Sequence, residues 1–201
     1  MFLFKPKKPE EPKKEEASKE SVDLGIIMKM NQEFAVSLDL NDTLNTALKV
    51  IINRINAQAA NIFLINEKEK KFECIASLNQ DYLDEYKLDL KDGVMGKAIQ
   101  QKKCIRVGDV RKDLREIAEF YFDLDNKTNF TTFSVLCSPL IAGNESIGVI
   151  HCLNKKTDNK LFQEEDRQLL ETLAAPAAFA IRNAKMAKDM IEKNKIQKEV
   201  E

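Results

Sequence analysis

A chain of 201 residues, 43% hydrophobic and 32% charged, has the balance of a soluble globular protein, with room for one cored domain plus extensions. Its net charge of -1 lacks the basic excess of a nucleic-acid binder, and no apolar run reaches the length of a membrane span. The four cysteines, Cys74, Cys104, Cys137 and Cys152, are far apart and match neither a metal spacing nor a CxxC pair. Most lie in apolar runs, where a thiol packs as a small hydrophobe. Met1–Phe4 is too short for a signal-peptide core, so a reducing, cytoplasmic setting is expected, with no metal, nucleic-acid or membrane partner.

In chain order, residues 1–21 come first, a charged, proline-containing stretch with Pro6, Pro9 and Pro12 and almost nothing apolar after Phe4. Such a segment buries too little surface to offset its ordering entropy, so a disordered tail is expected. Over 22–39, Ile26, Ile27, Met30, Phe34 and Leu38 recur at helical spacing. Asp39 or Asn41 then caps a second helix carrying Leu44, Ala47, Leu48, Ile51, Ile52 and Ile55 on one face. Two strand-like runs follow, 61–65 and 72–78, joined by the charged turn EKEKK as a hairpin.

Gly93 and Gly96 flank the start of a short helix, VMGKAIQQ, and 105–107 is a short strand. Residues 108–130 read as a long polar connection with aromatic interruptions, a length that suits the cover of a site. Runs 133–141 and 147–153 form a second hairpin around Gly143-Asn144. A long helix starts near Gln163, with Glu164, Glu165 and Asp166 complementing its dipole. Hairpins between helices predict an α+β fold, an antiparallel sheet with helices packed on it.

In the last helix, Leu170, Leu173, Ala177, Ala180, Ala184, Ala187 and Ile191 step by threes and fours, a heptad seam. Ala178, Phe179 and Ile181 add a second apolar face for the sheet, and Pro176 is expected to kink the helix. Met190, Ile196 and Val200 continue the apolar series beyond any plausible domain end. A homodimer built on the terminal helices is therefore expected, with 40–185 as the domain and 186–201 as a coiled-coil connector.

The stretches DGVMGKAIQQKKCIRVGDVRKD, TTFSVLCSPLIAGNESIGVIHCLNK and LFQEEDRQLLETLAAPAAFAIRNAKMA together resemble a GAF domain. The resemblance implies a six-stranded antiparallel sheet with helices on one face, a ligand pocket on the other, and long flanking helices. Within that family the chain is similar to the cyclic-nucleotide-binding GAF domains of phosphodiesterases and bacterial adenylyl cyclases. Asn154, Lys155, Phe162 and Asp166 match their N-K…F-x-x-x-D-E signature, with Arg167 in place of the final Glu. That signature implies a structural Lys155–Asp166 ion pair beside the pocket. DNKTNFTTFSVLC, residues 125–137, resembles the subfamily's D-x-x-T-G-F-x-T-x-x-x-L-C stretch, with Asn129 in place of the Gly.

By this resemblance Thr128 and Thr132 lie at the ribose and cyclic-phosphate end, where hydroxyls and amides satisfy a single negative charge, and Asp125 of the same stretch is a further ligand-binding candidate. His151 faces the pocket, Asn61 and Ser77 line it from their strands, and Met95 follows the first glycine of the helix-start loop. The chain lacks a nucleophile with a base in reach. Free methionine sulfoxide reductases of the same fold use loop cysteines, and only Cys104 falls on a loop here. The expected function is a regulatory domain without a resident cofactor, binding cAMP or cGMP and signalling through its flanking helices to an output such as a PP2C-type phosphatase or a cyclase. A sensor of another small ligand and a ligand-free dimerisation scaffold are the alternatives.

Overall fold

The computed structural model describes residues 39–80, 87–91, 93–112 and 115–200, together with Gly25, Met28, Lys29 and Gln32. The tail expected over 1–21 lies outside the described residues, as does most of the helix expected over 22–39, of which the four isolated residues are helical and exposed. Helix α1 (Leu40–Ile55) starts where the Asp39 carboxylate accepts the Asp42 N–H at 3.0 Å. It ends on Asn56 in the left-handed region at φ 56°. Strands β1 (Ala57–Asn66) and β2 (Lys71–Leu78) form the first hairpin. The Asn66 side chain accepts the turn amides of Lys68 and Glu69 at 2.9 and 3.1 Å.

Strand β3 (Lys87–Asp89) pairs with β2, and its three residues are too short for any periodicity to announce them. Helix α2 (Gly93–Gln101) and strand β4 (Ile105–Val107) follow as read. The connection over 108–130 is not irregular throughout. Residues Arg115–Thr128 form helix α3, with Ile117, Tyr121, Leu124 and Thr128 as its buried stripe. Strands β5 (Val135–Ala142) and β6 (Glu145–Lys155) make the second hairpin, turning at Gly143 with φ 71°. Helix α4 (Glu164–Val200) closes the chain, and Pro176 lies within it without ending it.

The sheet order is β3-β2-β1-β6-β5-β4, antiparallel throughout. One face is covered by α1 and α4, with Leu48, Ile51, Ile62, Ile150, Leu173 and Ile181 at its centre. The other is covered by α2 and α3 over Phe63, Phe72, Met95, Val149 and Leu153. Gly148 lets β6 lie close to β1: a Cβ there would run into the Phe63 carbonyl and Leu64 Cα.

The seam read on the last helix is divided by the fold. Leu170, Leu173, Ala177 and Ala184 are buried in the domain's own core, because α4 packs against α1 and β5 along that length. Phe179, expected to face the sheet, is 44% exposed with the Arg182 guanidinium 5.2 Å from its ring centre. Met186, Met190, Ile191 and Ile196 remain exposed beyond the domain. Among the described residues, no helix is long and apolar enough to cross a membrane, and no cluster of side chains is arranged to hold a metal.

Candidate functional site

Strand register builds a polar row in the α3-facing side of the sheet. Ser77 of β2 lies opposite Asn61 of β1, Asn61 opposite His151 of β6, and His151 opposite Cys137 of β5. Side chains alternate along a strand, so direct cross-strand partners share a face. This row therefore sits among Ala59, Phe63, Val149 and Leu153, the apolar positions two residues away on β1 and β6. Asn61 and His151 are fully buried.

Helix α3 closes over the row, and two sets of hydrogen bonds fix it there. In the first, the Asn61 amide donates to Gln80 Oε1 at 2.7 Å, and the Gln80 amide donates to Thr128 Oγ1 at 3.2 Å. The Thr128 hydroxyl donates in turn to the Leu124 carbonyl at 2.9 Å. Ser77 Oγ shares its single proton between Asn61 Oδ1, at 2.8 Å, and the Gln80 carbonyl. In the second set, Tyr121 Oη is 2.7 Å from His151 Nε2. The two rings are stacked at 18° with centres 5.7 Å apart, while Phe63 meets the imidazole edge-on.

Burial pulls His151 down to about pKa 3, so its imidazole is neutral at physiological pH. Burial likewise holds the Tyr121 phenol well above its ordinary value. His151 Nδ1 has no partner among the described residues. Orphaned polar atoms are rare in protein interiors, which makes this nitrogen a candidate point of contact for a ligand or a water.

At the C-terminal end of α3, Asp125 accepts the Thr132 N–H at 2.7 Å and the Thr132 hydroxyl at 2.6 Å. Burial raises the Asp125 carboxyl despite these bonds and the nearby Arg111. Asn129 takes φ 48° just after α3. It can stand where the motif this stretch resembles has Gly because asparagine tolerates the left-handed region. Beside α3 a cleft of about 670 Å³ is lined by Val110, Arg111, Phe122, Asp125, Thr132 and Tyr121, the last being the residue that bonds His151 of the row.

The structure thus brings together Asn61, Ser77, Thr128 and His151, and sets Asp125 and Thr132 as a neighbouring pair. Met95 is fully buried in the apolar cluster of the same face. The sequence reading missed Gln80 and Tyr121. Tyr121 lies in the α3 stripe, which was read as a polar connection, and Gln80 follows β2 in a stretch with no periodic signal.

The remaining motif residues lie at the sheet's end. Lys155 Nζ donates to Asp166 Oδ1 at 2.6 Å and to the Ile55 carbonyl at 2.7 Å, tying α4 to the end of α1. Asp166 also accepts the Gln163 N–H at 2.8 Å, half of a capping box. Asn154, at φ 55°, accepts the Phe133 N–H at 2.7 Å and donates to the Thr131 carbonyl at 2.7 Å. It therefore holds the segment that carries Thr132. Phe162 is fully buried under α4. Arg167, where the signature has Glu, bonds Glu164 and Glu171 at 2.7 Å each, clear of the Lys155 pair. Cys104 is buried, and burial raises its thiol to about pKa 12, the opposite of a reactive cysteine.

Comparison with known proteins agrees with this architecture. The chain is 25% identical over 143 residues to a probable 3',5'-cyclic phosphodiesterase of Caenorhabditis elegans, covering 66% of this chain and 19% of that protein. It is 25% identical over 182 residues to a dual 3',5'-cyclic-AMP and -GMP phosphodiesterase of Takifugu rubripes, covering 84% and 19%. The chain thus spans about a fifth of the length of these curated relatives. In fold it is similar to the GAF domain of an Acinetobacter phosphoenolpyruvate-protein phosphotransferase, with TM-score 0.63, 19% identity and coverage of 82% and 95%. It is also similar to a free methionine-R-sulfoxide reductase from Neisseria meningitidis, with TM-score 0.64, 19% identity and coverage of 84% and 93%. The GAF-domain family model matches residues 37–182, and with that match the chain belongs to the GAF family of regulatory small-molecule-binding domains.

Proposed function

We propose that this domain binds a cyclic nucleotide, cAMP or cGMP, between the sheet and α3, and that binding is felt at the flanking helices. The observation that carries the reading is the convergence of Asn61, Ser77, Thr128 and His151 on one buried face under a helix held by few polar ties. The likeness to cyclic-nucleotide phosphodiesterases supports it. The ring of the ligand would take the row, with His151 nearer the base. Thr128 and Thr132 would serve the ribose–phosphate end. Because Asp125 occupies the amide and hydroxyl of Thr132, and Tyr121 covers His151, binding requires α3 to move outward.

Asn154 ties the segment after α3 to the sheet, and Lys155 ties the same strand end to α1 and α4. A shift of α3 therefore has a covalent and hydrogen-bonded route to α4. The reading places the domain in a cytoplasmic homodimer, joined through the exposed apolar residues of α4 beyond Ala184, with its output carried by an attached or docked domain rather than by chemistry of its own. Calorimetric titration with cAMP and cGMP to millimolar concentration tests the ligand. The expected result is heat from at least one of them, with slowed hydrogen exchange in α3. Neither heat nor a melting shift with either nucleotide would replace this reading with that of a sensor for another small molecule.

A further inference from the structure

Gln80 is the centre of the buried polar network, and no motif points to it. It is 4% exposed, two residues beyond the end of β2. Its carbonyl oxygens are both engaged, Oε1 by Asn61 and the backbone oxygen by Ser77. Its Nε2 carries two hydrogens; one goes to Thr128 at 3.2 Å, and the other has no acceptor among the described residues. His151 Nδ1, on the strand beside Asn61, is also unpartnered. Among the described residues the network therefore leaves two polar hydrogen-bonding positions without a partner in a buried, apolar-walled region, where each unmade hydrogen bond is costly. Asn61, Ser77, His151, Gln80 and Thr128 present only uncharged groups: two carboxamides, two hydroxyls and, through burial, a neutral imidazole. Neutral donors and acceptors gathered between the sheet and α3 match the edge of a planar heterocycle better than they match a charged group.

Asn61 and Ser77 are held by strand pairing, and Thr128 moves with α3. Gln80 stands between these fixed and moving parts. When α3 lifts, Gln80 loses its Thr128 partner and keeps its Asn61 partner, so its amide stays oriented with both hydrogens free.

We propose that Gln80 is a ligand-reading residue of this domain, exchanging the Thr128 hydroxyl for the donor–acceptor edge of a planar, uncharged ring system of the purine class. The inference rests on the reading of the region under α3 as the ligand site. It adds that selectivity between ring edges is set by Gln80, together with the open nitrogen of His151.

The test uses the full chain and four probes: cAMP, cGMP, adenosine and guanosine. The two nucleosides isolate reading of the ring from reading of the phosphate. Wild type is expected to prefer one base, with the same preference in the cyclic nucleotide and in the nucleoside. Gln80→Glu replaces the amide donors by a carboxylate of the same shape. It should change the ratio of adenine to guanine affinities by about tenfold, the scale of one hydrogen bond made or lost. Gln80→Met keeps the volume without polar atoms and should flatten the preference in both probe pairs. A ratio unchanged in both variants, with the domain folded by circular dichroism, overturns the inference while leaving the nucleotide reading intact. So does a uniform loss of affinity that follows a lowered melting temperature, since that is the mark of a structural role alone. Wild type that binds none of the four probes overturns both readings together.

Discussion

Asn61 and Ile62 are neighbours on β1 and both are fully buried, yet they belong to different interiors. Ile62 looks into the α1/α4 layer, where Leu48, Ile51, Ile150, Leu173 and Ile181 interlock. Asn61 looks into the α2/α3 layer, where aromatic and aliphatic side chains surround a hydrogen-bonded row with one orphaned imidazole nitrogen. The first layer gains free energy from apolar area alone, roughly 25 cal/mol per Å². The second forgoes part of that gain to keep neutral polar groups dry, which stabilises a fold only when every one is partnered. On the proposed reading, two faces of one sheet are thus built for different ends, one to stay shut and one to exchange partners.

That contrast is open to direct attack, and the largest expected effect is on the apolar α1/α4 face. Phe162→Ala should remove about 3–5 kcal/mol of stability by denaturant unfolding, the usual cost of emptying a buried aromatic site. Affinity for any ligand under α3 should be unchanged once corrected for the folded fraction. Weakened binding by the folded protein would mean that the two layers are not separable.

On the other face, protonation offers a probe without a change of volume. His151 has a pKa of about 3 when folded, against 6.5 for the free side chain. Between those values the unfolded chain takes up a proton that the folded one refuses, so stability is lost as pH falls from 6.5 toward 3. The slope should approach 1.4 kcal/mol per pH unit, about the full value for one proton. Asp125 acts in the opposite sense, because its folded pKa is raised and its contribution is lost as pH rises. The comparison is therefore wild type minus His151→Gln, which cancels Asp125. Parallel pH profiles for the two proteins would show that His151 is hydrated and able to charge in the fold.

The smallest effect is the most telling about exchange. Tyr121→Phe removes one hydroxyl and leaves His151 Nε2 without its partner, costing about 1 kcal/mol of stability. Because the same bond holds α3 closed, ligand affinity should rise by roughly threefold to tenfold. Tighter binding with lower stability is a signature that no substitution on the α1/α4 face is expected to produce. Weaker binding would instead make the Tyr121 hydroxyl a partner of the ligand.

Much of this was legible in the residues. The two hairpins were announced by apolar runs broken at EKEKK and at Gly143-Asn144, and the Lys155–Asp166 pair by the order of its motif. Helix α3 was not, because its stripe of Ile117, Tyr121, Leu124 and Thr128 is interspersed with Phe120 and the exposed Phe122, which blur a helical period. The seam of α4 was legible as a period but not as a destination. Leu170, Leu173 and Ala177 satisfy a heptad equally well against a second helix or against α1 and β5, and the fold uses them for the latter.

The sequence by itself determined which segments are helix or strand wherever apolar spacing was regular. It also determined the family, since several local patterns in fixed order specify a chain path. Only the tertiary structure decided which buried polar residues meet. Ser77, Asn61 and His151 are far apart in the chain and come together through the β2–β1–β6 register. Gln80 reaches Thr128, 48 residues away, because α3 folds back over the sheet. Local pattern encodes a residue's own conformation and burial; the partner that satisfies a buried donor is set by which distant strand lies alongside, and no spacing along one segment records that.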